Sequence, residues 1–288
     1  MKKSALVIVI MLTVVACLSL TACNSSTPQG QLGNYFAPYE KFVYDVAHTT
    51  EEGVISGKYT IEIEQFDGGD ITVGDVLVKN QPSGHVINTY LDIDGTQIES
   101  TCFFVNVSSN SFYVPRSSFR KVTVDGTESY RVQINYTTSG AKYTLTENGE
   151  SKKTGTLELS SPFYDNNEFY TMLRGASTMG TAFSMSYGVA IVAPNEIAVA
   201  TVSASCTSTE TLSAPEKAFK DGKVSCYKTT ISRSTTVAGI SYTVYYAASP
   251  VTSINGSAVR SIVRPIVKIV EGDVVYTLSD ISAVKGEI

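Results

Sequence analysis

From Tyr39 onward, apolar and polar residues alternate with a period of two. Tyr59, Ile61 and Ile63 alternate with Thr60, Glu62 and Glu64. Tyr130, Val132, Ile134 and Tyr136 alternate with Arg131, Gln133 and Asn135, and Ile240, Tyr242, Val244 and Tyr246 repeat the pattern late in the chain. Strict alternation predicts half-buried antiparallel strands, with one face on a core and the other on water. Turn residues punctuate these runs. Asp94-Gly95, Asp125-Gly126 and Asn148-Gly149 each separate two strand-like segments, and such pairs favour the positive φ angles of tight hairpins. Asp67-Gly68-Gly69, Asp221-Gly222, Asn255-Gly256 and Glu271-Gly272-Asp273 read as further turns. Consecutive hairpins make sequence neighbours spatial neighbours, so the pattern predicts a meander of roughly ten strands. A sheet of that length has to curl, split into a sandwich or close. The expected fold is mainly β, a long antiparallel meander curled into an open half-barrel around one short central helix. A β-sandwich is the alternative.

The helix is expected in "SPFYDNNEFYTMLRG", Ser161 to Gly175. Asp165 with Glu168 three residues later has the form of a capping box, in which each side chain accepts from the other's backbone N–H. Asn166, Asn167 and Glu168 would form the first turn. Arg174 falls in the last turn, where a cation suits the carbonyl end, and Gly175 can terminate the helix in the left-handed conformation. Phe169, Met172 and Leu173 recur at i, i+3 and i+4, with Tyr170 flanking the stripe. A helix of about ten residues is marginal alone in water, so the stripe needs a partner, and the inside of a curled sheet supplies one. Two readings follow. Phe169, Met172, Leu173 and Arg174 line a cavity for an apolar or lipid-like ligand, with Arg174 meeting an anionic headgroup at its mouth. Alternatively the stripe is plain core, and Arg174 serves the helix dipole or pairs with a strand carboxylate.

The start of the chain adds a location. Met1-Lys2-Lys3 precedes an apolar run from Ala5 to Leu20, the form of a secretory signal. Leu20-Thr21-Ala22-Cys23 followed by Asn24-Ser25-Ser26 resembles the bacterial lipobox, whose cysteine receives diacylglycerol. Val14-Val15-Ala16-Cys17 fits the same loose pattern, but cleavage there would leave Leu18-Ser19-Leu20 at the new start. The expected organisation is a lipoprotein signal peptide at 1–22, a Ser/Pro/Gln/Gly-rich flexible tether at 23–34 and a single β domain at 35–288. Lipidation is expected at Cys23, with the membrane as a partner through that lipid. The protein would lie on the outer face of the cytoplasmic membrane of a one-membrane bacterium, or at the outer membrane otherwise, since Asn24 is not the Asp that often retains lipoproteins at the inner membrane.

Charged residues are 17% of the chain, a composition for strands rather than solvated helices. The net charge is −5, and loss of residues 1–22, with two lysines and no acid, makes it −7. An acidic chain without a basic cluster argues against a nucleic-acid partner. Catalytic motifs are scarce. His48 and His85 have no HxH or HxxxH spacing, and no cysteines form CxxC, so no metal site is expected. Gly175 to Gly180, "GASTMG", is not G-x-S-x-G, and no phosphate-binding Gly loop exists. No enzyme and no cofactor are expected. Asp92-Ile93-Asp94-Gly95 and Asp67-Gly68-Gly69-Asp70 lack the distal Glu of a Ca²⁺ loop and read as turns. Cys206 and Cys226 flank "APEKAFKDG" and are a candidate disulfide if their Cα atoms approach within about 7 Å. Cys102 alternates with Ile98, Ser100 and Phe104 and reads as core.

The second half also resembles a known pattern. "FYDNNEFYTMLRG", "TETLSAPEKAFKDGKVSCYKTTIS", "SYTVYYAASP" and "RPIVKIV" are similar to an uncharacterised bacterial envelope domain over about residues 160–282. That domain resembles the open half-barrels of LolA/LolB-type lipoprotein carriers. The resemblance implies a bent antiparallel sheet wrapped around a helix, and an apolar cavity that holds lipid. Two departures are visible. Pro215-Glu216-Lys217-Ala218-Phe219 stands where the pattern has Pro-Ala-Gly-x-Phe, and tyrosines occupy its usual Trp positions.

Overall fold

The computed structural model describes residues 36–286 apart from 108–111, 160–162, 166–167, 177–178, 181–183, 194–195 and 235–240. They belong to one compact unit, Gln31–Ile288. The expected signal peptide, Cys23 and the expected tether lie outside the described residues, as do Asn166 and Asn167.

The alternating segments become strands. The first half supplies β1 (Tyr39–Thr50), β2 (Gly53–Phe66), β3 (Gly69–Val73), β4 (Val76–Gln81), β5 (Gly84–Ile93), β6 (Thr96–Val107), β7 (Phe112–Val124), β8 (Thr127–Tyr136), β9 (Gly140–Glu147) and β10 (Glu150–Glu158). A three-residue strand, β11 (Phe163–Asp165), leads into the helix α1 (Phe169–Met172), which tightens into a 3₁₀ turn at Leu173–Gly175. The second half supplies β12 (Ser184–Ala193), β13 (Glu196–Ser213), β14 (Lys223–Ser234), β15 (Ser241–Ala247), β16 (Val251–Ile254), β17 (Ser257–Ile262), β18 (Ile266–Glu271) and β19 (Val274–Ser282). Asp94-Gly95, Asp125-Gly126, Asn148-Gly149 and Asn255-Gly256 all take positive φ at both positions. Each closes a two-residue hairpin.

Fifteen strands form one sheet, in the order β10-β9-β8-β7-β6-β5-β2-β1-β19-β18-β15-β14-β13-β12-β11. The expected ten strands are exceeded because the pattern continues through β12–β19 and because two small hairpins, β3–β4 and β16–β17, stand apart from the main sheet. The sheet is open and single, so the sandwich alternative is not adopted. The first and last strands pair at its centre, Phe42 opposite Ile281 and Val46 opposite Tyr276. The chain therefore builds outward from β1 to the β10 edge, jumps to the β11 edge, and returns.

That jump explains the curl. Only four residues join β10 to β11, so the connected ends of the two edges lie within about 18 Å. Side chains fill the seam: Leu159, Phe163 and Ile197 pack with Tyr136, Tyr143 and Leu145, and the Tyr136 and Phe163 rings stack at 5.8 Å. Closure thus rests on packing between the edges, with no ladder joining β10 to β11. The jump also explains the helix. β11 runs parallel to β12, with Phe163 opposite Gly188, and parallel neighbours need a crossover rather than a hairpin. The helix is part of that crossover.

On the outer face, the β3–β4 hairpin covers Phe103 and Val105 with Val73, all nearly sealed. Gly74 (φ +60°) allows this close approach, because a Cβ there would stand 2.2 Å from the Phe119 ring.

Candidate functional site: the enclosed helix and its polar contacts

Pairing register places Phe42, Tyr44, Ile61, Ile63 and Ile87 on the concave face of the sheet, and the helix packs there. Phe169, Met172 and Leu173 are 4%, 2% and 2% exposed and join one large core with those residues. The space bounded by Phe42, Tyr44, Ile61, Thr171, Arg174 and Ile266 amounts to about 140 Å³, none of it wide enough for a water molecule. At this place the four residues expected to line a ligand cavity fill the interior instead. The physical reason is that long aliphatic and aromatic side chains from both the helix and the sheet converge on a one-turn helix.

Arg174 is 1% exposed, and Glu40 on β1 is fully buried. Arg174 Nη1 lies 2.7 Å from Glu40 Oε2. Arg174 also donates from Nε and Nη2 to the Val263 carbonyl at 3.1 and 2.9 Å, and from Nε to the Arg264 carbonyl at 3.2 Å. Its guanidinium carbon sits 5.0 Å from the Phe42 ring centre and 5.3 Å from that of Phe36, within the range of cation–π attraction. Glu40 Oε1 accepts the Ala37 N–H at 2.7 Å. Arg264 reciprocates: its Nη1 donates to the carbonyls of Arg174 and Ala176 at 2.9 and 2.6 Å. The salt-bridge reading of Arg174 holds, and the headgroup reading has no cavity mouth to act in at this place. Tyrosines secure the rest of the helix. Tyr246 donates to the Tyr170 carbonyl, and the Tyr59 and Tyr170 hydroxyls share a bond, both at 2.7 Å.

A second polar cluster lies at the helix start. Half of the expected capping box forms, with the Asp165 N–H donating to Glu168 Oε1 at 3.2 Å. The other half does not. Glu168 is itself the N-cap, without a side-chain cap bond, and Asp165 closes β11. The Asp165 side chain turns to the sheet, where Ser118 Oγ donates to it at 2.5 Å and Tyr136 Oη also donates. Two strand hydroxyls thus outcompete one backbone N–H for this carboxylate. Cys102 Sγ lies 3.3 Å from Glu168 Oε2. Asp165, Glu168 and Cys102 are fully buried. Burial first, and the neighbouring Asp165 second, push the Glu168 carboxyl up to about 8. Burial followed by the nearby Glu168 raises the Cys102 thiol well above its usual range. A thiol in that state is not a nucleophile.

His85, on β5, is 5% exposed and enclosed by Phe36, Phe104 and Tyr113 with ring centres 5.5, 5.7 and 5.8 Å away. Among the described residues, neither ring nitrogen has a hydrogen-bond partner. Burial, with a lesser contribution from Arg260, lowers its pKa to about 4. Among the described residues, no three His, Cys, Asp or Glu side chains converge as a metal-binding set. Asp70 instead accepts the Asn80 N–H at 2.9 Å within its hairpin.

The proposed disulfide is corrected. Cys206 lies opposite Thr229 and Cys226 opposite Glu210. Three positions along β14 separate them, about 10 Å before the step between strands is added, which exceeds the reach of a disulfide. Both are free, buried thiols.

No known protein family matches the chain, and no curated protein does. A solved structure does resemble it. The chain is similar in fold to a β-barrel-like protein. That protein, a domain of unknown function (DUF1849) from Brucella abortus, aligns over 85% of this chain and 98% of its own length at TM-score 0.51 and 12% identity. A porin-like protein from Bacteroides uniformis aligns over 84% of this chain and 98% of its own length at TM-score 0.17 and 10% identity, too weak a match to bear on the fold. The barrel-like architecture is thus shared with a known structure, which supports the half-barrel expectation at the level of fold.

Proposed function

We propose that the chain is exported, cleaved and lipidated at Cys23, and that its half-barrel acts without catalysis as a structural or protein-interaction module of the cell envelope. The observation that carries the module reading is the closed gap between helix and sheet, about 140 Å³ with no room for water. The lipid cargo that a LolA/LolB-type resemblance implies needs an internal cavity of roughly 300 Å³ or more. The non-catalytic reading is supported by the sealing of the thiol, the two carboxyls and His85 away from solvent. The anchor reading is supported by the lipobox-like "LTAC". Among the described residues no helix is long and apolar enough to cross a membrane.

Fractionation of cells tests the anchor. The wild-type chain is expected in the membrane fraction, with its N-terminal peptide carrying an acyl-glycerol mass on Cys23. Replacing residues 1–23 with a signal peptide that is cleaved without a lipobox cysteine is expected to move the chain to the soluble exported fraction. Retention of that chain on the membrane, or an N-terminal peptide of the wild type without the acyl-glycerol mass, would overturn lipid anchoring.

A further inference from the structure

We propose that the turn end of the half-barrel docks a cationic amphipathic segment of a partner protein. The proposal rests on the module reading above and names the partner's chemistry.

Among the turns whose residues are all described, register brings five tight ones to one end of the sheet: Thr50–Gly53, Ile93–Thr96, Val124–Thr127, Glu147–Glu150 and Glu271–Val274. The apolar concave face reaches these turns but loses its cover on the way. Along β2, Ile63, Ile61 and Tyr59 are 0%, 1% and 8% exposed, and Ile55 beyond them is half-buried. Along β5 a sealed Ile87 gives way to half-buried Leu91 and Ile93. Along β19 sealed Ile281 and Leu278 give way to half-buried Tyr276 and Val274. Adjacent strands thus share one gradient, and the same face also carries Arg120, opposite Ser100 and Val132. The chain enters at the opposite end, where Phe36 is held in the core.

Charge selects the occupant. The five turns hold eight Asp and Glu residues and no Lys or Arg. Turn chemistry explains only part of this. Asp94 and Asp125 take positive φ, a task that Asn148 performs in the β9–β10 turn without charge. Glu51, Glu52 and Asp273 have no such task and are exposed. An apolar face behind an acidic rim repels anionic lipid and fits a segment with Leu or Phe on one face and Lys or Arg on the other.

The test uses the exported chain made soluble by replacing residues 1–23 with a signal peptide that is cleaved without a lipobox cysteine. The probe is a fluorescent Leu/Lys amphipathic peptide, with a Leu/Glu peptide of the same pattern as control. The Lys peptide is expected to bind saturably at one site, and the Glu peptide not to bind. The triple variant Glu51→Lys, Glu52→Lys, Asp273→Lys, at exposed positions that leave the core untouched, should weaken binding about tenfold or more, as should raising salt from about 0.05 M to about 0.5 M. Absence of saturable binding, equal affinity of the triple variant, or preferential binding to anionic phosphatidylglycerol vesicles would overturn the proposal. Those failures would leave the module reading standing, because that reading falls on a different observation, a guest inside the barrel.

Discussion

Replacing Arg174 with methionine is expected to remove about 3–5 kcal/mol of stability, read as a lower urea midpoint with an unchanged slope. The size follows from what is left behind. Glu40 is fully buried, and without the guanidinium 2.7 Å away its charge has only the Ala37 N–H to offset the loss of water. The carbonyls of Val263 and Arg264 lose donors as well, at roughly 1 kcal/mol each. Replacing both charges, Glu40→Met with Arg174→Met, should recover most of the loss, because a buried ion pair replaced by apolar groups of similar volume is often close to neutral. The order predicted is wild type, then double variant, then single variant. A double variant weaker than Arg174→Met would show that the pair's charge is not what makes the single change costly.

The stability of the wild type relative to Glu168→Gln is expected to fall as pH rises from about 4.5 towards about 8. The cause is Glu168, whose folded carboxyl is raised from 4.5 to about 8 by burial and by Asp165. A group with a raised folded pKa binds its proton more tightly in the native state. Its contribution is complete below the unfolded value and is lost as pH climbs through the folded one. Between the two values the slope from this group is about 1.4 kcal/mol per pH unit. Glu168→Gln keeps the shape and an acceptor for the Asp165 N–H but cannot ionise, so it lacks this contribution, while both proteins share the rise between about pH 4 and 6.5 that comes from His85, held near 4 by burial. Urea titrations of both proteins at a series of pH values check this. A wild-type slope equal to that of Glu168→Gln would contradict the assignment.

Local pattern made much of the fold legible. The Asp-Gly and Asn-Gly pairs mark hairpins because positive φ at two adjacent residues has a strong residue preference. The stripe of Phe169, Met172 and Leu173 marks a helix that has to be buried. The rest depends on distant partners. Nothing in the alternation of Phe42 and Tyr44 indicates that β1 pairs with β19, because a period of two is the same whichever neighbour supplies the hydrogen bonds. β11 has three residues, too few to show a period, and its parallel pairing with β12 is invisible for that reason. The capping box was read from Asp165 and Glu168 alone. Their competing partners, Ser118 and Cys102, stand 47 and 66 positions away. The same distance hid the mate of Arg174: a cation near a helix end is visible, whereas Glu40 beneath it is one acid among many. The cysteines mislead differently. Cys206 and Cys226 sit on adjacent strands as expected, and the pairing register keeps them apart, three positions along β14 even after the bulge between Cys206 and Ser208 draws them one position closer.

The central claim is that the helix packs against the sheet without leaving room for a guest between them, and that the protein acts through its surface. Native mass spectrometry of the mature protein, released gently from membranes, tests it most directly. The expected spectrum contains the polypeptide with its covalent N-terminal lipid and nothing more. A stoichiometric additional mass of lipid, lost on collisional activation, would contradict the claim and restore the carrier reading.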